Sequence, residues 1–326
     1  MTGLYDSWQR QINYLRISIT DFCNLNCVYC TEGIVPKLPR DEILTFEEIE
    51  RLIHVAAAMG INKVRLTGGE PLMRPDLPKL VRMISATPGI DDVALTTNGT
   101  LLSKYAVELK NAGLSRVNVS LDTLRADRFK AITGHDNLGQ VLEGIQLAEC
   151  VGLTPVKVNM VVMRGQNDDE VVDFARKTVD GSWNVRYIEY MPFSASVEES
   201  SRLVSSREIK QRLDVLGHME RCGTEKGNGP ARYFRFPGAK GTIGFISPIT
   251  EHFCATCNRL RMTSDGHLRP CLLDDDEIDI KKALRNGASD DDLKGIIERA
   301  VVIKRERHHL NEGEKAPERP MRQIGG

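Results

Sequence analysis

Three cysteines, Cys23, Cys27 and Cys30, stand in the run CNLNCVYC, a C-x3-C-x2-C spacing that follows an apolar stretch from Tyr14 to Ile19. The stretch reads as a strand. The loop after it therefore presents three thiolates and no fourth. A cubane iron–sulfur cluster usually takes four cysteines. Three leave one iron open, and an open position is what separates catalytic from structural metal sites. A structural zinc knuckle or a pair of redox thiols are the plainer readings. A redox Cys-x-x-Cys does follow a strand in thioredoxin-like folds, but the additional Cys23 and the lack of a helix start at Cys27 fit that poorly. A second trio repeats the deficit: Cys254-Ala-Thr-Cys257, then thirteen residues, then Cys271. On spacing alone, zinc completed by His252 or His267 is as good a reading as a cluster. The intervening Asn258-Arg259-Leu260-Arg261 shifts the balance, because two arginines beside a metal suit a substrate anion. Without the cysteines, a solvated basic edge would be the default.

Composition limits the partners. The chain has 326 residues, 41% of them hydrophobic, enough for one large α/β domain and a smaller second one. With 44 basic and 45 acidic residues it has no overall field for nucleic acid or membrane. An anionic ligand must be held by locally placed cations. No stretch approaches the roughly 18 apolar residues of a membrane span, and the start lacks the basic-then-apolar plan of a secretory signal. A cytoplasmic, reducing setting is expected, where cysteines serve metals more often than disulfides. Cys150 and Cys222 stand apart and read as ordinary buried or half-buried thiols.

The elements that would carry these loops alternate. Leu44-Thr45-Phe46-Glu47-Glu48-Ile49 has capping-box and hydrophobic-staple spacing and opens a helix that Gly60 ends. Strands are expected at Lys63–Thr67, Val93–Thr97, Arg116–Leu121, Pro155–Val162 and Val185–Tyr190, with helices near Leu77–Ile84, Leu101–Ala112, Leu124–Ile132, Val141–Val151 and Glu170–Thr178. Six β segments alternating with helices argue for a parallel sheet, here a partial (β/α)6 TIM-like barrel. The expected organisation is a barrel over 1–220, a second domain over 221–310 closing its open side, and a flexible tail over 311–326. Ser205–Leu216 reads as one more helix, and Asp276–Arg307 as helical and charged.

Further residues fall where a parallel barrel gathers function. Gly68-Gly69-Glu70-Pro71 ends a strand, and glycines there would let a ligand approach the backbone; a plain turn explains them about as well. Arg16, Arg65 and Lys157 lie in strands and would point inward, where a lone cation is costly unless an anion fills the cavity. No G-x-x-x-x-G-K-[ST] occurs, so a nucleoside triphosphate would be held by arginine forks rather than a P-loop.

CNLNCVYC resembles the signature of the radical S-adenosylmethionine (SAM) enzymes. In that family the reduced cluster passes an electron to the bound sulfonium, releasing methionine and a 5′-deoxyadenosyl radical. The order of CNLNCVYC, LTGGEPLMR, LTTNG, VNVSLDT, EYMP, GNGPARY, GFISPIT, CATCNRLR with Cys271, and a final Gly-Gly resembles the GTP 3′,8-cyclases of molybdenum cofactor biosynthesis over nearly the whole chain. The resemblance implies two [4Fe-4S] clusters, on Cys23, Cys27 and Cys30 and on Cys254, Cys257 and Cys271, the open iron of the second binding guanine. It implies SAM contacts at Tyr29, Gly69, Ser120 and Met191, and GTP contacts at Arg16, Arg65, Thr96, Lys157, Arg259, Leu260 and Arg261. Gly325 and Gly326 would enter the active site, against the bland reading of a disordered terminus. The implied product is (8S)-3′,8-cyclo-7,8-dihydroguanosine 5′-triphosphate, made with an electron donor and passed to a cyclic pyranopterin monophosphate synthase. A radical SAM peptide maturase and a zinc-binding interaction protein are the competing readings. Monomer and homodimer stay open.

Overall fold

Alternate residues on the first six strands differ in kind. These strands are β1 (Tyr14–Ser18), β2 (Lys63–Thr67), β3 (Asp92–Thr97), β4 (Arg116–Ser120), β5 (Lys157–Val162) and β6 (Asn184–Glu189). One face carries Leu15 and Ile17, Val64 and Leu66, Val117 and Val119, Val158 and Met160, all in the main apolar core. The other carries Arg16, Arg65, Thr96, Asn118, Asn159 and Arg186, which line a cavity. This is the two-residue period of a strand, with one face packed under helices and one turned to a polar interior. The computed structural model describes residues 3–30, 37–191, 201–223, 228–309 and 319–325.

The six strands are parallel and pair in sequence order. Parallel neighbours need crossovers, supplied by α1 (Phe46–Ala58), α2 (Leu77–Ser85), α3 (Leu102–Asn111), α4 (Ala126–Thr133) with α5 (Leu138–Cys150), and α6 (Val171–Val179). The expected capping box is present: Thr45 accepts from the Glu48 amide and Glu48 from the Thr45 amide. A further helix, α7 (Ser206–Leu213), follows β6.

The later strands do not form a sheet of their own. Among the described residues all strands join one twelve-stranded sheet. β7 (Glu220–Cys222), β8 (Arg232–Arg235) and β9 (Thr242–Ile246) extend it beyond β6, with β9 parallel to β6. β10 (Arg259–Met262), β11 (His267–Arg269) and β12 (Ile278–Asp279) extend it beyond β1, with β10 parallel to β1. The reason is that β1 and β6 would otherwise present unpaired backbone edges. Arg186 and Ile246 from one end of the sheet and Arg259 and Arg261 from the other line the same cavity, so the sheet curls into a partial barrel.

Two expectations are corrected. Asp276–Arg307 is not one helix: Ile278 pairs with β11, α8 (Lys281–Arg285) is short, and the chain turns through Gly287 at φ +79° before α9 (Asp290–Val302). Cys150 is exposed at the end of α5, while Cys222 is half-buried. The last element is the single turn α10 (Met321–Ile324). No helix among the described residues is long and apolar enough to cross a membrane.

Glu189, fully buried, ties the end of β6 to the elements that follow. It accepts from the amides of Ser206 at 3.0 Å and Thr250 at 3.0 Å, and from the Thr250 hydroxyl. Glu189→Ala would strand the buried Ser206 amide and release the Thr250 loop, and should cost about 1–3 kcal/mol. The urea-unfolding midpoint should fall clearly; an unchanged midpoint would contradict this role.

Candidate functional site

Cys23, Cys27 and Cys30 leave β1 on a loop whose path is fixed by the turn after β2. The Gly69 amide donates to the Thr20 carbonyl at 2.7 Å and the Glu70 amide to the Phe22 carbonyl at 2.7 Å. A Cβ on Gly68 would lie 2.4 Å from the Thr20 oxygen, and one on Gly69 would lie 2.4 Å from the Phe22 oxygen. The close approach that these glycines permit is therefore made by the cysteine loop's own backbone, although Gly69 also borders the cavity. Glu70 is wholly buried beneath them. Burial raises its carboxyl to about 7, against hydrogen bonds from the amides of Asn98 and Leu72 and the Thr97 hydroxyl.

All six cysteines of the two trios line one cavity of about 330 Å³. The first trio is half-buried and mutually repelling. Burial raises all three thiols, and Cys23 adds to the rise at Cys30, which reaches about 11. Three soft donors that burial and one another keep protonated need a multiply charged partner to ionise. Amides already aim at the sulfurs: Leu25 N lies 3.4 Å from Cys23 Sγ, and the Arg322 amide donates to Cys30. Such N–H···S bonds are the usual setting of iron–sulfur clusters. Tyr29 donates from its hydroxyl to Asp122 at 2.6 Å, which fixes its ring over the loop.

The second trio is wrapped by both ends of the chain. Lys304 donates from Nζ to the carbonyls of Arg259 and Pro270, bracing the two arms that carry Cys257 and Cys271. Arg10, paired with Asp6, donates to the carbonyls of Cys254 at 2.7 Å, Arg305 at 2.6 Å and Glu306 at 2.8 Å. Burial would raise the Cys257 thiol, but Arg259 and Lys304 outweigh it and bring it down to about 6. The imidazoles weighed for zinc are engaged elsewhere. His267 faces Asp265 at 3.3 Å, and His252 lies against the ring of His308. Among the described residues no three His, Cys, Asp or Glu side chains converge closely enough for a single ion. Two sets of three thiols that share one cavity wall, with backbone donors on the sulfurs, are donor sets that suit an iron–sulfur cluster.

Between the trios the interior is cationic. Arg16, Arg65, Arg259 and Arg261 line it, with Thr96 accepting from Arg65 at 3.2 Å. Burial, then repulsion from Arg261, lowers Arg16 well below the usual arginine range. Burial and the neighbouring Arg186, Arg116 and Arg65 bring Lys157 down to about 6. Lys157 is buried on β5 beside this cavity but does not line it. Tyr29, Gly69, Ser120 and Met191 all line the wall. Leu260 does not: its side chain packs into the apolar core between Arg259 and Arg261, as the strand period requires, so only its backbone could meet a ligand. The Gly325 carbonyl accepts from Arg261 at 3.0 Å, and Gly326 lies outside the described residues.

Sequence reading missed two residues here. Arg186 is buried on β6, and its Nε and Nη2 have no hydrogen-bond partner among the described residues, as suits a group that takes an anion. The inward period that exposed Arg16 and Arg65 would have found it. Tyr14 also lines the cavity and accepts from Arg65 Nε. Burial would raise its phenol, but Arg65 and Arg16 outweigh this and lower it to about 8. Tyr14 stands two residues before Arg16 on the same inward face, so the same period would have found it.

Comparison with known proteins gives concordant matches. Residues 17–178 match the radical SAM superfamily and residues 183–310 match Molybdenum Cofactor Synthesis C. The chain is 52% identical over 326 residues to a GTP 3′,8-cyclase of Pelotomaculum thermopropionicum, covering 99% of this chain and 100% of that one. It is 49% identical over 324 residues to a GTP 3′,8-cyclase of Moorella thermoacetica, with the same coverage. Among solved structures, Streptococcus suis SuiB bound to S-adenosylmethionine aligns with a TM-score of 0.62, covering 94% of this chain and 76% of that one at 15% identity. That likeness is one of fold.

Because the Gly69 Cβ would strike the Phe22 carbonyl, Gly69→Ala should displace the first cysteine loop. Iron and labile sulfide bound on anaerobic reconstitution should fall, while circular dichroism stays unchanged. Undiminished metal content would contradict the fit.

Proposed function

This chain belongs to the GTP 3′,8-cyclase family of radical SAM enzymes, and from that premise we propose how its cavity is used. It catalyses the cyclisation of GTP, the first step of molybdenum cofactor biosynthesis. The observation that carries the residue-level reading is the pair of three-thiol sites on one cationic cavity.

Cys23, Cys27 and Cys30 hold the [4Fe-4S] cluster of the radical SAM reaction. Cys254, Cys257 and Cys271 hold a second cluster, and the guanine faces it. When bound, the first cluster with SAM would supply the radical chemistry, a 5′-deoxyadenosyl group able to accept hydrogen from ribose C3′. The protein's part is placement. Tyr29, held by Asp122, packs on the adenine, while Gly69, Ser120 and Met191 border the rest of SAM. Arg16, Arg65, Thr96 and Lys157, joined by Arg186, take the triphosphate, and Arg259 and Arg261 with the Leu260 backbone close the far side. Fixing base and phosphates leaves the sugar facing the radical source, and orientation of this kind supplies much of a barrier reduction. The Gly325-Gly326 terminus completes the site, Gly325 through its contact with Arg261. Electrons come from a reducing partner, and a cyclic pyranopterin monophosphate synthase consumes the product. Family membership decides against the peptide-maturase and zinc-protein readings.

The reaction is tested by incubating reduced, reconstituted protein with SAM and C3′-deuterated GTP. Deuterium should appear in 5′-deoxyadenosine. Its absence would overturn the proposal, and zinc without labile sulfide in anaerobically purified protein would do the same.

A pH dependence also follows. Lys157 is largely neutral above about pH 6 in the ligand-free cavity. A triphosphate beside it favours the charged form, so its pKa rises on binding. GTP binding near pH 7.5 should take up close to one proton, and affinity should weaken as pH rises from 6 to 8. Calorimetry in buffers of different ionisation enthalpy reads the uptake. Lys157→Met should abolish it; equal uptake by the variant would contradict the assignment.

A further inference from the structure

The C-terminal segment is held at both ends, and only its inner end belongs to the site described above. At the outer end Arg319 makes a fork on two acids. Its Nη1 and Nη2 donate to the two carboxylate oxygens of Asp265 at 3.2 and 3.0 Å. Its Nε and Nη2 donate to Glu277 Oε1 at 3.2 and 3.0 Å. Asp265 lies in the turn between β10 and β11, and Glu277 directly precedes β12. The arginine thus grips the same three-strand edge that carries Arg261.

At the inner end the segment has little freedom of position. The Gly325 amide donates to the Met321 carbonyl at 3.1 Å, Ile324 is buried, and Gly325 turns at φ +75°. A Cβ on Gly325 would lie 2.7 Å from Thr67 Cγ2 and 3.2 Å from Ser18 Cβ. Its carbonyl receives the Arg261 hydrogen bond at 3.0 Å. The Arg322 amide donates to Cys30. One short turn therefore touches both ends of the cavity, and its register depends on where its first residue is fixed.

We propose that Arg319 is a positioning residue, a latch whose bidentate grip on Asp265 together with Glu277 sets Gly325 against Arg261. The inference rests on the reading of the Gly-Gly terminus as part of the site. A planar fork on two carboxylates fixes direction as well as distance. A lysine could hold the charge but not the angle.

Arg319→Ala, Arg319→Lys and a chain lacking Gly325 and Gly326 would be compared with the parent as reconstituted enzymes. Arg319→Ala should keep full iron and sulfide content and a GTP KM within about twofold of the parent. Its kcat for cyclisation should fall by roughly 100-fold, the scale of a small misplacement of reacting groups. SAM cleavage should continue, uncoupled from product. Amide exchange at 321–325 should quicken while that of β10 and β11 does not change. Arg319→Lys should fall between the two. Full cyclisation by Arg319→Ala, or loss of activity with 321–325 as protected as in the parent, would overturn the latch. Full activity of the truncated chain would overturn the Gly-Gly reading as well, whereas an inactive truncation beside a fully active Arg319→Ala would remove the latch alone.

Discussion

Arg16, Arg65, Lys157, Arg186, Arg259 and Arg261 are gathered inside one curled sheet, and the free energy of burying like charges together governs the rest of the site. The strain is visible in their protonation: Arg16 is driven far below the ordinary arginine range, Lys157 falls to about 6 and Arg261 to about 10. The buried acids nearby do little to relieve it. Asp92 is engaged with Arg116, Glu70 carries the turn after β2, Asp122 holds Tyr29, and Glu189 ties down the end of β6. Among the described residues that line the cavity, arginines therefore outnumber acids. A triphosphate and two thiolate-ligated clusters are the kind of charge that fills such a deficit, since a buried cation is stable only when paired and hydrogen-bonded.

Parallel strands make this arrangement possible. Each contributes alternate residues inward, and the registers Arg16 with Arg65 and Arg16 with Arg261 place the guanidiniums side by side. The apolar alternates, Leu15, Val64 and Leu260 among them, anchor the same strands to the helices. The core therefore holds the cations in place against their own repulsion. The thiol loops sit at the two sides of this framework and are braced from outside, the first by the glycine turn after β2, the second by Arg10 and Lys304.

Much of this was legible before the structure. The strand and helix alternation, the capping box at Thr45 and Glu48, both cysteine trios and the inward Arg16 and Arg65 follow from period and spacing, which are local properties. What escaped depends on contacts distant in sequence. The pairing of β10 with β1 and β9 with β6 is decided by open sheet edges, so the reading of residues 221–310 as a second domain closing the barrel carried no sign that its strands join the first sheet. Gly68 and Gly69 were read as room for a ligand because the backbone they accommodate lies near residue 21, across the sheet. Ile278 looked helical among its charged neighbours until β11 offered it a partner. Leu260 was carried along with its flanking arginines, although a strand must turn it the other way. Arg186 was overlooked despite carrying the same signal as Arg65.

The charge deficit of the cavity is tested most directly by titrating reconstituted enzyme with guanosine, GMP and GTP under identical conditions. Affinity should rise with each phosphate, and guanosine should bind roughly 100-fold or more weakly than GTP, because charge-assisted hydrogen bonds to phosphate are the strong ones. Guanosine binding within a few-fold of GTP would show that the buried arginines are not the seat of the substrate's phosphates, and the account would fail.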